Sequence, residues 1–172
     1  MTSFNDFVLT VATANGSGSQ SSNNILLRAL FRLGLPVGGK NLFPSNIQGL
    51  PTWFTIRANE AGFTARKKLA DIVVAINPQT ALADLKLVRP GGYVFLSSEA
   101  KVAPELFPKD VHVIVVPFKD IVQPVHESIK MRKLLLNMVY VGVLAELMEI
   151  PQATLQDVMH HQFDKKVSVF ES

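Results

Sequence analysis

Four short apolar runs set the strongest limit on what this sequence can fold into: Phe7-Val-Leu-Thr-Val-Ala12, Asp71-Ile-Val-Val-Ala-Ile76, Tyr93–Ser97 and Val111-His-Val-Ile-Val-Val116. Each has the length of a buried strand, and segments with helical spacing lie between several of them. Strands that alternate with helices imply βαβ units and a mainly parallel sheet. The expectation is one α/β domain over residues 1–172, three-layered, with a Rossmann-like glycine loop after the first strand.

The intervening segments carry their own signals. Ser21 or Ser22 can cap a helix that runs to Leu33, where Gly34 ends it. Val37–Phe43 and Thr52–Ala58 read as strands around a loop, Pro44–Pro51. Asn59-Glu-Ala-Gly62 reads as a turn back into Phe63–Arg66. Pro78 suits the first position of a helix reaching Val88, and Arg89-Pro-Gly-Gly92 a turn into the next strand. A long helix is expected from His126 to Glu149, stopped by Pro151, and a short one over Thr154–Gln162.

Composition narrows the function classes. Hydrophobic residues make up 48% and charged residues 18%, which suits a globular domain with apolar surface to spare for a partner or a full core. The chain has no cysteine, so disulfides, thiolate zinc sites and iron–sulfur ligation are excluded within it. No signal peptide is visible, and Leu134–Ile150 is too short and, with Asn137, Glu146 and Glu149, too polar for a membrane span. A cytoplasmic protein is expected, bound to neither membrane nor nucleic acid. Residues 1–70 hold seven Lys and Arg against Asp6 and Glu60, whereas the remainder is net acidic, so the first part suits an anionic ligand. His112, His126 and the His160-His161 pair form neither a triad nor a metal set.

The segment Gly16-Ser-Gly-Ser-Gln-Ser21 carries the chemistry. It lies between a strand and a helix, where glycines admit a close ligand and a helix start presents free N–H groups. Phosphate is the natural occupant. A dinucleotide fold also needs an acid about 20 residues later for the ribose hydroxyls. Here Lys40 and Asn41 stand there, and no acid occurs between Asp6 and Glu60. NAD is disfavoured; Lys40 would tolerate a 2′-phosphate, so NADP stays open. Tight strand–helix packing alone also accounts for the glycines.

The string Lys40-Asn-Leu-Phe-Pro-Ser-Asn-Ile-Gln-Gly-Leu-Pro-Thr-Trp-Phe54 closely resembles the γ-type region of bacterial 2-oxoacid:ferredoxin oxidoreductases, as found at the N-terminus of 2-oxoglutarate:ferredoxin oxidoreductase subunit α. Asn77-Pro-Gln-Thr80 and Asn137-Met-Val-Tyr-Val-Gly142-Val-Leu-Ala145 extend the resemblance over about Phe7 to Gln162. Gln48-Gly49 stands where many relatives have Arg-Gly-Gly, so a charge contact there is missing.

The resemblance implies a module of an enzyme that oxidatively decarboxylates a 2-oxoacid, 2-oxoglutarate or pyruvate, on thiamine diphosphate. Electrons pass through iron–sulfur clusters to ferredoxin, and the acyl group goes to coenzyme A. Thiamine, magnesium and clusters would sit in other domains or subunits, and this domain would help enclose coenzyme A. It supplies no catalytic residue and no metal ligand. Gly16, Ser17, Gly18, Ser19, Gln20, Lys40, Asn46 and Gln48 are the candidate ligand contacts. Trp53 is a candidate interface anchor or base-stacking residue, and Asn137 a buried amide that bonds a nearby loop. Expected partners are the other domains or subunits, ferredoxin indirectly, and, left open, a second copy. The chain reads as a fragment of a longer subunit or a free-standing γ subunit. A ligand-free assembly domain and an independent NADP-binding oxidoreductase are the competing readings.

Overall fold

The computed structural model describes residues 5–45, 47–63, 65 and 67–170, the last eight by their backbone alone. Six strands form one sheet in the order β2-β3-β1-β4-β5-β6. They are β1 (Asp6–Ala14), β2 (Val37–Leu42), β3 (Pro51–Asn59), β4 (Ala70–Ala75), β5 (Val88–Ser97) and β6 (His112–Val116). The pairs β1–β4, β4–β5 and β5–β6 are parallel, with Val11 opposite Val74 and Phe95 opposite Ile114. The expected α/β class with a mainly parallel sheet is what forms. The hairpin β2–β3 departs from that pattern, because β3 runs antiparallel to both β2 and β1.

The two faces of the sheet are covered unequally. Leu9, Val11, Ile56 and Val74 point into a large core under α1 (Ser19–Arg32), α4 (Ile129–Leu147) and α5 (Gln152–Phe170). Alternation along the strands sends Val8, Val73, Val94 and Leu96 to the opposite face. There the cover is one turn, α2 (Ala81–Asp84), with three-residue 3-10 turns such as Leu85–Leu87. The third layer is therefore thin. The helix expected from Pro78 to Val88 is cut short because Asn77 Oδ1 accepts from Gln79 N–H at 3.0 Å, fixing a turn first.

Other boundaries also move. The helix expected from His126 starts only after Ser128, as α4, and a short helix that was not expected, α3 (Phe118–Val122), precedes it. α4 ends at Leu147, well before Pro151, and Glu149 follows in the left-handed region (φ 52°), with Ile150 N–H donating to Ala145 O at 2.8 Å. Pro151 instead starts α5, its carbonyl accepting from Thr154 N–H. Arg89-Pro-Gly-Gly92 lies inside β5 as a bulge, not before it. Phe63 and Ala65 are in no strand; Thr64 and Arg66 lie outside the described residues. Among the described residues no helix is long and apolar enough to cross a membrane.

On the thin face, Trp53 Nε1–H donates to Asp84 Oδ1 at 2.8 Å and Thr80 Oγ1–H to Asp84 Oδ2 at 2.7 Å. The lone tryptophan thus fastens β3 to α2. Burial pushes the Asp84 carboxyl above its ordinary range, although both hydrogen bonds oppose this. A group raised in this way contributes stability at low pH that is lost as pH rises through its folded value. Asp84→Asn is expected to raise the thermal midpoint at pH 7 by roughly 2–4 °C, the shift of about 1 kcal/mol in a chain of this size. The gap to the parent should close in acid, and a pH-dependent change in Trp53 emission should vanish in the variant. A gap that is the same at every pH would show that the carboxyl does not titrate there.

Candidate functional site

The first strand delivers the chain into a loop whose shape depends on two glycines. Gly16 and Gly18 have φ of 77° and 86°, a region that side chains oppose. Both also lack room: a Cβ on Gly18 would stand 2.4 Å from Leu134 Cδ2, and one on Gly16 2.9 Å from Gln48 Cγ. Gly18 is the N-cap of α1, not Ser21 or Ser22, and gives the helix no side-chain cap. Asn137 Nδ2 reaches across from α4 to donate to Ser17 O at 2.8 Å, the buried-amide role expected of it. Behind the loop, Thr13 Oγ1–H donates to Ser19 Oγ at 2.8 Å, and the Tyr140 hydroxyl to Asn23 Oδ1 at 2.8 Å. Burial holds the Tyr140 phenol far above its ordinary pKa, so it stays a donor.

Asn15 clamps the second polar segment onto this loop. Its N–H donates to Leu50 O at 2.7 Å, its carbonyl accepts from Gly49 N–H at 2.9 Å, and its Nδ2 reaches the Ser45 and Ile47 carbonyls at 3.3 Å. Gln48 is thereby laid against Gly16. Asn46 lies outside the described residues. Gln20 Oε1 accepts from Asn41 Nδ2 at 2.9 Å, and Asn41 Oδ1 from Thr52 Oγ1–H at 3.1 Å. Lys40 is separated from the loop. It pairs with Thr55, whereas its neighbours Gly39 and Asn41 face Phe54 and Gln20, so its side chain leaves from the other side of the sheet.

Two cavities flank the loop. The larger, about 810 Å³, runs from Gly16, Ser17, Gln48 and Gly49 past Asn77 to α3 and α4. Lys119, Arg132 and Lys133 line it with one carboxylate, Glu99, which sits 3.8 Å from Lys119. Ser17 Oγ is buried with no partner among the described residues. The smaller cavity, about 450 Å³, lies against the first turn of α1, at Gly18, Ser19, Gln20 and Asn23. Seven of the eight predicted contacts are thus described: Gly16 touches both spaces, Ser17 and Gln48 the larger, Gly18, Ser19 and Gln20 the smaller, and Lys40 neither.

Residues 8–172 match the pyruvate ferredoxin/flavodoxin oxidoreductase family. The chain belongs to that family. A curated relative from Aeropyrum pernix, 2-oxoacid:ferredoxin oxidoreductase 2 subunit alpha, is 28% identical to this chain over 87 residues. That stretch is 51% of this chain and 14% of the relative. A 2-oxoglutarate:ferredoxin oxidoreductase from Magnetococcus marinus, solved with 2-oxoglutarate, coenzyme A and succinyl-CoA bound, is 26% identical with a TM-score of 0.80. The match takes in 94% of this chain and 28% of that one. The keto/oxoacid ferredoxin oxidoreductase gamma subunit from Geobacter sulfurreducens shares the fold at 14% identity and a TM-score of 0.67, over 90% of this chain and 85% of its own. The chain therefore spans a small part of the first two relatives and nearly all of a separate gamma subunit.

Among the described residues no three His, Cys, Asp or Glu side chains are grouped to hold a metal ion. The cations of the larger groove were missed from the sequence. They come from the part of the chain that is net acidic, at the starts of two helices, and no local spacing joins Lys119 to Arg132 and Lys133. Only the packing of α3 on α4 does so.

Proposed function

We propose that this chain is the γ-type module of a thiamine-dependent 2-oxoacid:ferredoxin oxidoreductase, with 2-oxoglutarate as the favoured substrate, and that its larger groove holds coenzyme A. The observation that carries the ligand reading is the groove beside the glycine loop, with three cations to one carboxylate and the partnerless Ser17 Oγ at its wall. Lys119, Arg132 and Lys133 would hold the phosphates, and the Ser17 hydroxyl and Gln48 amide would donate to polar atoms along the ligand. Coenzyme A, when bound, supplies the thiol that takes the acyl group. The donor set here does not fit thiamine-bound magnesium or iron–sulfur clusters, which are assigned to the other domains or subunits, with ferredoxin as the electron acceptor. The coenzyme A complex of the Magnetococcus marinus enzyme supports this reading. A dinucleotide reading has lost its support, since β3 beside β1 is antiparallel and Lys40 faces away from the loop.

The test uses the assembled enzyme with Lys119→Ala, Arg132→Ala and Lys133→Ala combined. Three partly exposed charges at about 0.5 kcal/mol each should raise the KM for coenzyme A by about tenfold. The KM for the 2-oxoacid and the subunit composition should not move. An unchanged coenzyme A KM in an intact assembly would remove the groove from the proposal and favour a purely structural module.

A further inference from the structure

The charges that line the larger groove are not evenly balanced. Lys119 reaches it from α3, which is held in place by the buried Phe118 and Val122, and meets the carboxylate of Glu99 at 3.8 Å. Glu99 comes from the 3-10 turn Ser98–Ala100 that follows β5, where its N–H donates to Ser97 Oγ at 3.4 Å. This part of the groove is therefore close to neutral. Arg132 and Lys133 line the groove from α4. Neither belongs to an ion pair among the described residues, and the first turn of α4 contains no acid. This part keeps both of its positive charges.

Coenzyme A carries phosphate in two forms. Its ribose bears a phosphate monoester, with about −1.5 to −2 charges at pH 7, whereas each phosphorus of its diphosphate bears a single charge. Resting on the coenzyme A reading of this groove, we infer that Arg132 and Lys133 are the specificity residues for the ribose monoester, and that Lys119, partly neutralised by Glu99, takes the diphosphate. The Arg132 guanidinium offers a fork of donors to the terminal oxygens of a monoester, a match that a point charge does not make. Glu99 repels a dianion more than it repels either phosphorus of the diphosphate, because the cost scales with the charge brought near it. The direction of the ligand follows: the ribose end lies at α4 and the diphosphate at α3.

The test compares coenzyme A with dephospho-coenzyme A, which keeps the thiol and the diphosphate but lacks the monoester. Both Kd values are measured by titration calorimetry on the assembled enzyme, at fixed ionic strength and without 2-oxoacid. Arg132→Ala combined with Lys133→Ala should raise the coenzyme A Kd about fivefold and leave that of dephospho-coenzyme A within about twofold, so that the preference for coenzyme A collapses. Lys119→Ala should weaken both ligands about twofold, and Glu99→Gln should tighten both about twofold, with the preference intact in each. All four side chains reach solvent, so the variants should assemble with the parent's subunit composition. A double variant that weakens both ligands equally, or a Lys119→Ala enzyme that loses the preference, overturns the assignment and leaves the coenzyme A reading standing. Kd values that move in none of the variants overturn both.

Discussion

Gly18→Ala is expected to lower the stability of the fold by about 3 kcal/mol. About 1–2 kcal/mol comes from forcing a side chain into the left-handed region at φ 86°, and about 1–3 more from overpacking. The added methyl would collide with Leu134 Cδ2 at 2.4 Å. Thermal melting should show a midpoint lower by roughly 6–12 °C, at 2–4 °C per kcal/mol. Leu134→Ala in the same chain should recover the steric share and leave the backbone share, because Leu134 is 42% exposed and loses little when truncated alone. A Gly18→Ala protein that melts with its parent would mean that α4 does not press on the loop. The result bears on function as well. Since α4 packing already requires glycine at 18, lost turnover in a bulkier variant would not reveal a ligand at that residue. The cations of the larger groove are the positions that do.

The strands were legible because burial on both faces leaves a continuous apolar run, as in Asp71–Ile76. Even there the outcome shifted by a residue to Ala70–Ala75. Less legible was anything decided by partners distant in the chain. Val37–Phe43 and Thr52–Ala58 were readable as strands, but that β3 would enter the sheet antiparallel between β2 and β1 was not. Asn77 was legible as part of a resemblance and not as the side chain that ends a strand and shortens a helix. The site divided along the same line. The glycine loop and Asn137 could be read from local pattern, since a lone amide in an apolar helix needs a bonding partner. The basic first part of the chain was a poor guide: Lys40 turned to the far face, and the groove drew its cations from α3 and α4.

Asn137→Asp should be the most pH-sensitive substitution in the protein. Asn137 is 2% exposed, and its Nδ2 donates to two carbonyl oxygens, Ser17 O at 2.8 Å and Lys133 O at 3.1 Å. An ionised carboxylate has the same shape but no proton, so it would set a negative oxygen against both carbonyls in a dry environment. A loss of about 3 kcal/mol is expected at pH 7, from the broken charge-free bonds and the desolvated charge together. Protonation restores one donor, so the introduced carboxyl must have a raised pKa in the folded chain. The sign then follows: stability is retained at low pH and lost as pH rises through that value. Denaturant melts from pH 5 to pH 8 should show the variant approaching its parent in acid and falling away above. A deficit that is constant across this range would mean that the carboxyl had found another donor or had swung out of the core. The same bond holds Ser17 at the wall of the larger groove. The pH at which the variant loses stability should therefore also be the pH at which the Ser17 amide loses its protection from hydrogen exchange, ahead of the core strands β1 and β4. Loss of protection in the loop and the strands together would show that Asn137 holds the whole fold and not the loop alone.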